Sequence, residues 1–368
     1  MLPLYKPYLS STILKHAHDA LDSQWIIWTG EYRDRATAWL KQYLGASRLM
    51  LLANGTCACH FLAKAVQLCH PNIKKAIVPN NVYTASWHGL MFDGGLELIP
   101  IDADINTWNF DINKIEDRLD SDTCVLVVHN LGNIINVPDL KRRFPSTVFI
   151  EDNCEGLTGE YEGVKSGTVS LASAMSFCGN KIITSGEGGA LVVDNDELYD
   201  YLFSAHCQGY TSERFVCDKI GYNYRMTNIQ AAILLGQMEA LEEIKSNKAR
   251  ITNRYYHAFE QIPEVRTPLA DANTINADWM TAVRVVGSPG YEQARAFFDK
   301  SGIDTRPMFH PITRHPHLRH LKCDTTIADL LSKECMQLPS FPGLTDGDVD
   351  SVINCVKNFI HEVVHGRV

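Results

Sequence analysis

Short apolar runs alternate with longer stretches of helical spacing through the first half of the chain. Seven runs read as strands: Leu49–Ala53, Ala76–Pro79, Leu96–Ile101, Cys124–His129, Val148–Ile150, Leu171–Ser176 and Ala190–Val193. Between and after them, Cys57–Leu68 puts Phe61, Leu62, Ala65 and Leu68 on one helical face, and Asn228–Ile244 does the same with Ile229, Ile233, Leu234 and Met238. Such alternation predicts an α/β fold around a mostly parallel, seven-stranded sheet. The Gly188-Gly189 turn before Ala190 predicts that one strand returns antiparallel. The pattern changes beyond a helix expected to end near Lys248. Ile262–Asp278 is irregular, Trp279–Val286 reads as a strand and Tyr291–Lys300 as a helix. Val349–Val364 is an amphipathic terminal helix carrying Val352, Ile353, Val356, Phe359 and Ile360. We therefore expect a large α/β domain over residues 1–249 and a smaller α+β domain over 250–368, a division that suits a chain of 368 residues.

Composition narrows the class. With 45% hydrophobic and 21% charged residues the chain reads as a soluble globular protein. A net charge of −9 argues against a general nucleic-acid or membrane-surface binder, because those need a basic footprint. No run approaches the roughly 20 apolar residues of a membrane span, and Met1–Pro7 lacks the apolar core of a secretory signal. Eleven cysteines, an odd number with no Cys-x-x-Cys pair, predict reduced thiols and a cytoplasmic protein. The segment holding His310, His315, His317 and His320 has no cysteine or carboxylate at metal spacing, so no metal is expected there.

The distinctive polar residues fall where the predicted strands end, the edge at which open α/β sheets bind ligands. Asn54-Gly55-Thr56 follows the first strand, Tyr83 the second, His129-Asn130 the fourth and Asp152 the fifth, while Ser176 opens a loop to Lys181. A loop lysine able to form a Schiff base, a carboxylate for a pyridinium nitrogen and a helix N-terminus for a phosphate match the needs of pyridoxal phosphate. Lys181 then holds the cofactor and shuttles protons, while Asp152 pairs with the ring nitrogen. Gly55, Thr56 and Ser176 take the phosphate, and Tyr83 stacks on the ring. Gly186-Glu187-Gly188-Gly189 lacks the Gly-x-Gly-x-x-Gly spacing, and no Gly-x-x-x-x-Gly-Lys-Ser/Thr loop occurs. Both nucleotide-loop readings are rejected.

With those residues in place, the chain resembles the DegT/DnrJ/EryC1/StrS family of nucleotide-sugar aminotransferases nearly end to end. The strings that carry the resemblance are Tyr5-Lys6-Pro7, Trp25…Gly30, Asn54-Gly55-Thr56, Glu151-Asp152, Ser176–Lys181 with Thr184–Gly189, Gly221–Asn228, Thr305-Arg306-Pro307 and Leu338-Pro339-Ser340. The resemblance implies a type I aminotransferase fold and a homodimer with active sites at the interface. It further implies that Asn223 reaches the cofactor phosphate of the other subunit, that Glu155 lies near the ring hydroxyl, and that Arg306 sits at the entrance. Trp25, Thr29, Lys181, Arg225, Arg306 and His310 become the expected substrate contacts. The implied reaction, that of the perosamine and viosamine branch, moves an amino group from L-glutamate to C4 of a nucleotide-linked 4-keto-6-deoxyhexose.

Two departures qualify the match. The family's dehydratase branch carries histidine at the lysine position, and this chain keeps Lys181. Ile26-Ile27-Trp28 and Trp87-His88 replace smaller or more polar residues, which points to a distinctive substrate. The competing expectations are a C3 aminotransferase and a non-catalytic regulatory protein on the same fold. An intact lysine–aspartate pair opposes the latter.

Overall fold

A computed structural model describes residues 1–93 and 95–366. Seven strands form the main sheet: β1 (Leu49–Leu52), β2 (Lys75–Pro79), β3 (Glu97–Ile101), β4 (Thr123–Val128), β5 (Val148–Asp152), β6 (Ala172–Ser176) and β7 (Gly189–Val193), in the order β1-β7-β6-β5-β4-β2-β3. Neighbours from β6 through β3 pair in parallel, and β7 alone runs against its neighbours β6 and β1. All seven expected strands are present, and the reversed one is the strand after Gly188-Gly189.

The inner strands read as unbroken apolar runs because both faces are covered. Met50 and Leu52 join Val78, Leu126 and Ile150 in a core under the helices Gly55–Cys69 and Thr84–Met91. Leu49 and Leu51 point the other way, into a core with Phe177, Leu40 and Leu234 from the helices Glu31–Leu44 and Asn228–Glu239. Glycine allows the sheet edge to close tightly at two points. A Cβ on Gly189 would lie 2.4 Å from the Asn54 carbonyl oxygen, and one on Gly55 would lie 2.8 Å from the Ser176 Cβ. The second contact brings a helix N-terminus against the end of β6.

Two helical expectations need correction. Leu68 is 40% exposed although Phe61, Leu62 and Ala65 are buried, so the apolar face ends one turn early. The helix beginning at Asn228 stops at Glu239. After Ala240, whose φ/ψ of −93°/6° leaves the helical region, a second helix runs from Leu241 to Phe259. That helix crosses residue 249. Its Ile251, Tyr255 and Phe259 pack with Val283, Phe298, Met336, Val352 and Val356 in a separate core.

A second, antiparallel sheet is ordered β8-β9-β11-β10, from β8 (Val265–Arg266), β9 (Ala282–Val285), β10 (Arg306–Pro307) and β11 (Cys335–Gln337). The residues just before β9, and those of β10 and β11, reach back to the carboxyl edge of the main sheet. No described helix is long and apolar enough to cross a membrane.

Candidate active site

A cavity of about 660 Å³ lies at that edge, closed on the far side by the second sheet. Nine of the residues singled out in the sequence line it: Gly55, Thr56, Tyr83, Asp152, Glu155, Ser176, Lys181, Arg306 and His310.

The Lys181 loop leaves β6 at Ser176 and turns back through a bond from the Lys181 amide to the Cys178 carbonyl. Two outside groups pin it. The Tyr5 hydroxyl donates to the Lys181 carbonyl, and the Trp279 indole N–H donates to the Asn180 carbonyl at 2.7 Å. The side chain is 11% exposed, with Nζ 3.6 Å from Glu155 Oε1 and 4.1 Å from the centre of the Trp279 ring. Carboxyl and indole face together hold the amine in place there.

Asp152 closes β5 and is 5% exposed. Its Oδ2 accepts from Ser86 Oγ at 2.5 Å and from the Cys59 thiol at 3.5 Å, and its Oδ1 from the Cys154 amide at 3.0 Å. The strand beneath is fixed by a fully buried pair. His129 Nδ1 accepts from the Ile135 amide, so Nε2 carries the proton and donates to Glu151 at 3.0 Å. Glu155 accepts from the Leu131 amide at 2.7 Å. Burial pushes its carboxyl up to about 7, against the opposing pull of Lys181.

One end of the cavity is the N-terminus of Gly55–Cys69. Asn54 caps it, its side chain accepting from the Cys57 amide at 2.9 Å and its carbonyl from Ala58. The amides of Gly55 and Thr56 have no intrahelical acceptor and add to the positive end of the helix dipole. Opposite, Arg306 pairs in register with Gln337, and both line the cavity with Phe309 and His315. Tyr83 is 59% exposed, its ring 6.2 Å from that of Phe309.

Four singled-out residues lie elsewhere. Trp25, Thr29, Asn223 and Arg225 do not line this cavity. Asn223 Oδ1 accepts from Arg225 Nε and Nη2, the Arg225 guanidinium sits 4.8 Å from the Trp28 ring, and Asn228 donates to the Trp25 carbonyl. They form a second cluster on the outside of the chain. Trp87 is fully buried, its indole N–H donating to the Pro79 carbonyl, so it is core and not part of the cavity wall.

Sequence reasoning passed over Ser86, Trp279, Tyr5 and Cys59. Only Ser86 carried a usable signal, since it stands one helical turn beyond Tyr83.

Comparison with known proteins agrees with this geometry. Residues 7–357 match the model of the DegT/DnrJ/EryC1/StrS aminotransferase family. A GDP-perosamine synthase of Vibrio cholerae is 30% identical, covering 98% of this chain and 100% of that protein. One from Caulobacter vibrioides is 31% identical over 94% and 95%. Among solved structures, an E. coli GDP-4-keto-6-deoxy-D-mannose-3-dehydratase with bound hydrated PLP superposes with a TM-score of 0.89 at 20% identity, covering 96% of this chain and 99% of that one. With residues 7–357 matched by the family model and nearly the whole chain aligned at 30% identity, the chain belongs to the DegT/DnrJ/EryC1/StrS aminotransferase family.

Proposed function

We propose that this protein binds pyridoxal phosphate in the Lys181 cavity and transfers an amino group from L-glutamate to C4 of a nucleotide-linked 4-keto-6-deoxyhexose. The observation that carries the proposal is that Lys181, Asp152 and the N-terminus of Gly55–Cys69 line one buried cavity. These residues fit the cofactor: an amine for its aldehyde, a buried carboxylate for its ring nitrogen, and backbone amides beside a glycine too crowded for a side chain. When bound, the cofactor supplies an electron sink for the carbon that loses its proton.

The chain's residues do the rest. The Lys181 amine would hold the cofactor and would carry the proton from the donor carbon at Nζ, work worth about 10²–10⁴ in rate. Glu155, 3.6 Å away, gives that amine a partner whose protonation changes near neutral pH. Asp152, held by Ser86 and the Cys154 amide, keeps the ring nitrogen protonated. Trp279 covers Lys181 and keeps water from one side. Arg306 and His310, on the wall contributed by the second sheet, contact the substrate.

The perosamine synthases at 30% and 31% identity favour a GDP-linked sugar and C4 chemistry. Lys181 opposes the 3-dehydratase reaction of other relatives, because the residue that marks that branch is histidine. The outward cluster of Asn223, Arg225 and Trp25 supports a homodimer in which these residues serve the other subunit's cavity. We place the enzyme in the cytoplasm, where its free thiols stay reduced.

Purified protein with pyridoxal phosphate and glutamate is offered GDP-4-keto-6-deoxymannose and, separately, UDP- and dTDP-4-keto-6-deoxyglucose. Mass spectrometry should find an aminated product with the GDP sugar that is lost in Lys181→Ala. Bound cofactor without product from any of the three contradicts the C4 assignment and turns the search to 3-keto sugars.

A further inference from the structure

All eleven cysteines are free, and two of them converge on the carboxylate at the base of the cavity. Cys59 lies one helical turn inside Gly55–Cys69, and Cys154 follows Asp152 by two residues, with its Sγ against Gly55. The two sulfurs and an Asp152 oxygen all lie within 4.8 Å of one another, and Cys59 Sγ is 3.5 Å from Asp152 Oδ2. No other group of three metal-ligating side chains approaches so closely among the described residues. With bonds of about 2.3 Å to sulfur and about 2.0–2.2 Å to oxygen, a tetrahedral ion spaces such ligands by about 3.5–3.8 Å. The observed cluster needs only small side-chain rotations to reach that spacing.

We infer that Cys59, Asp152 and Cys154 form a binding site for a thiophilic divalent cation of the zinc class, and that the ion and pyridoxal phosphate exclude one another. Three protein ligands face the cavity, leaving the fourth position to water, the pattern of an open rather than a closed zinc site. Binding forms two metal–sulfur bonds and one metal–oxygen bond and releases the two thiol protons to solvent. The resulting charge of −1 sits in the cavity that holds the Lys181 ammonium. Exclusion follows from Asp152, whose Oδ1 is held by the Cys154 amide, so that the one oxygen left, Oδ2, would have to serve both the ion and a ring nitrogen. That second half rests on the functional reading above, whereas the metal site stands on geometry alone. The ion acts as an inhibitor that occupies newly made, cofactor-free protein.

The test uses the full chain freed of cofactor and titrated with Co²⁺, whose thiolate complexes absorb in the near ultraviolet and, when tetrahedral, in the visible. Wild type and Cys178→Ala, which removes the cavity's remaining thiol, should bind one Co²⁺ per chain with both absorptions. Cys59→Ala and Cys154→Ala should each weaken binding at least tenfold and halve the thiolate band, with circular dichroism unchanged. Absence of the band in wild type, or its survival when Cys59→Ala and Cys154→Ala are combined, overturns the site. Pyridoxal phosphate added to the cobalt protein should bleach the band as the ion leaves. A band that persists beside bound cofactor overturns the exclusion. Failure of metal-free protein to take up pyridoxal phosphate counts against the functional reading and leaves the cobalt result standing.

Discussion

The Lys181 cavity and the Trp25–Arg225 cluster each set a cation against an indole, under opposite conditions of burial. In the cavity, Lys181, Asp152 and Glu155 are nearly buried, and each is held by neighbours of the same chain. In the cluster, Trp25 is 52% exposed, Ile26 and Ile27 are 46% and 49% exposed, and Asn223 is exposed too. Among the described residues, Arg225 there finds an amide and an indole but no carboxylate within reach. Burial in the first region makes a charge expensive and raises the Glu155 carboxyl. In the second, aromatic and cationic groups face outward, the composition of a recognition surface. The comparison teaches that burial gathers the titratable groups into one cavity, while the groups outside it face away from that cavity.

Removing the cavity's amine gives the largest effect. Lys181→Ala should lower amination by at least about 10², measured by product mass, while the thermal unfolding midpoint stays close to wild type.

Lys248 tests the frame behind the cavity. It is fully buried, and its amine donates to the Trp279 carbonyl at 2.7 Å and to the Ser340 carbonyl. Burial pushes that amine down to about 7. Lys248→Met leaves two buried carbonyls unpaired and should cost about 2–5 kcal/mol in denaturant unfolding. Because Trp279 pins the Lys181 loop, turnover should fall as well. A variant as stable as wild type would remove Lys248 from this role.

Glu155 gives a pH test inside the cavity. Its folded value of about 7 lies above the 4.5 of a free glutamate. Between those values the native state therefore binds more protons than the unfolded chain, and this group's contribution to stability falls as pH rises. The expected loss from about pH 4.5 to 7 is on the order of 3 kcal/mol in cofactor-free protein, and Glu155→Gln should flatten it. An unchanged slope would contradict the assignment.

The smallest effect belongs to the outer cluster. Arg225→Ala should change the unfolding free energy of the chain by no more than about 0.5 kcal/mol and leave cofactor uptake intact, while weakening self-association or raising KM. Loss of cofactor uptake with the chain still dimeric would contradict the assignment of Arg225 to the substrate rather than the cofactor.

The strands were readable because sheet residues covered on both faces must be apolar, and Lys181 and Asp152 were readable because each sits beside one. Leu68 and the break at Ala240 were not, since a helix ends its apolar face wherever its neighbour does. Trp279 and Tyr5 bond to residues distant in sequence, and nothing local distinguishes them from packing, whereas Ser86 stands one helical turn beyond Tyr83. Cys59 and Cys154 lie far apart along the chain, so no metal spacing could register. The apolar substitutions at Ile26-Ile27-Trp28 were visible, but not that they lie outside the cavity of their own chain.

The most direct test of the account is to find which lysine carries the cofactor. Protein incubated with pyridoxal phosphate is reduced with borohydride, digested and mapped by mass spectrometry. The account predicts one pyridoxyl group per chain, on the peptide containing Lys181. A modification centred on any other lysine, or none at all, would contradict it.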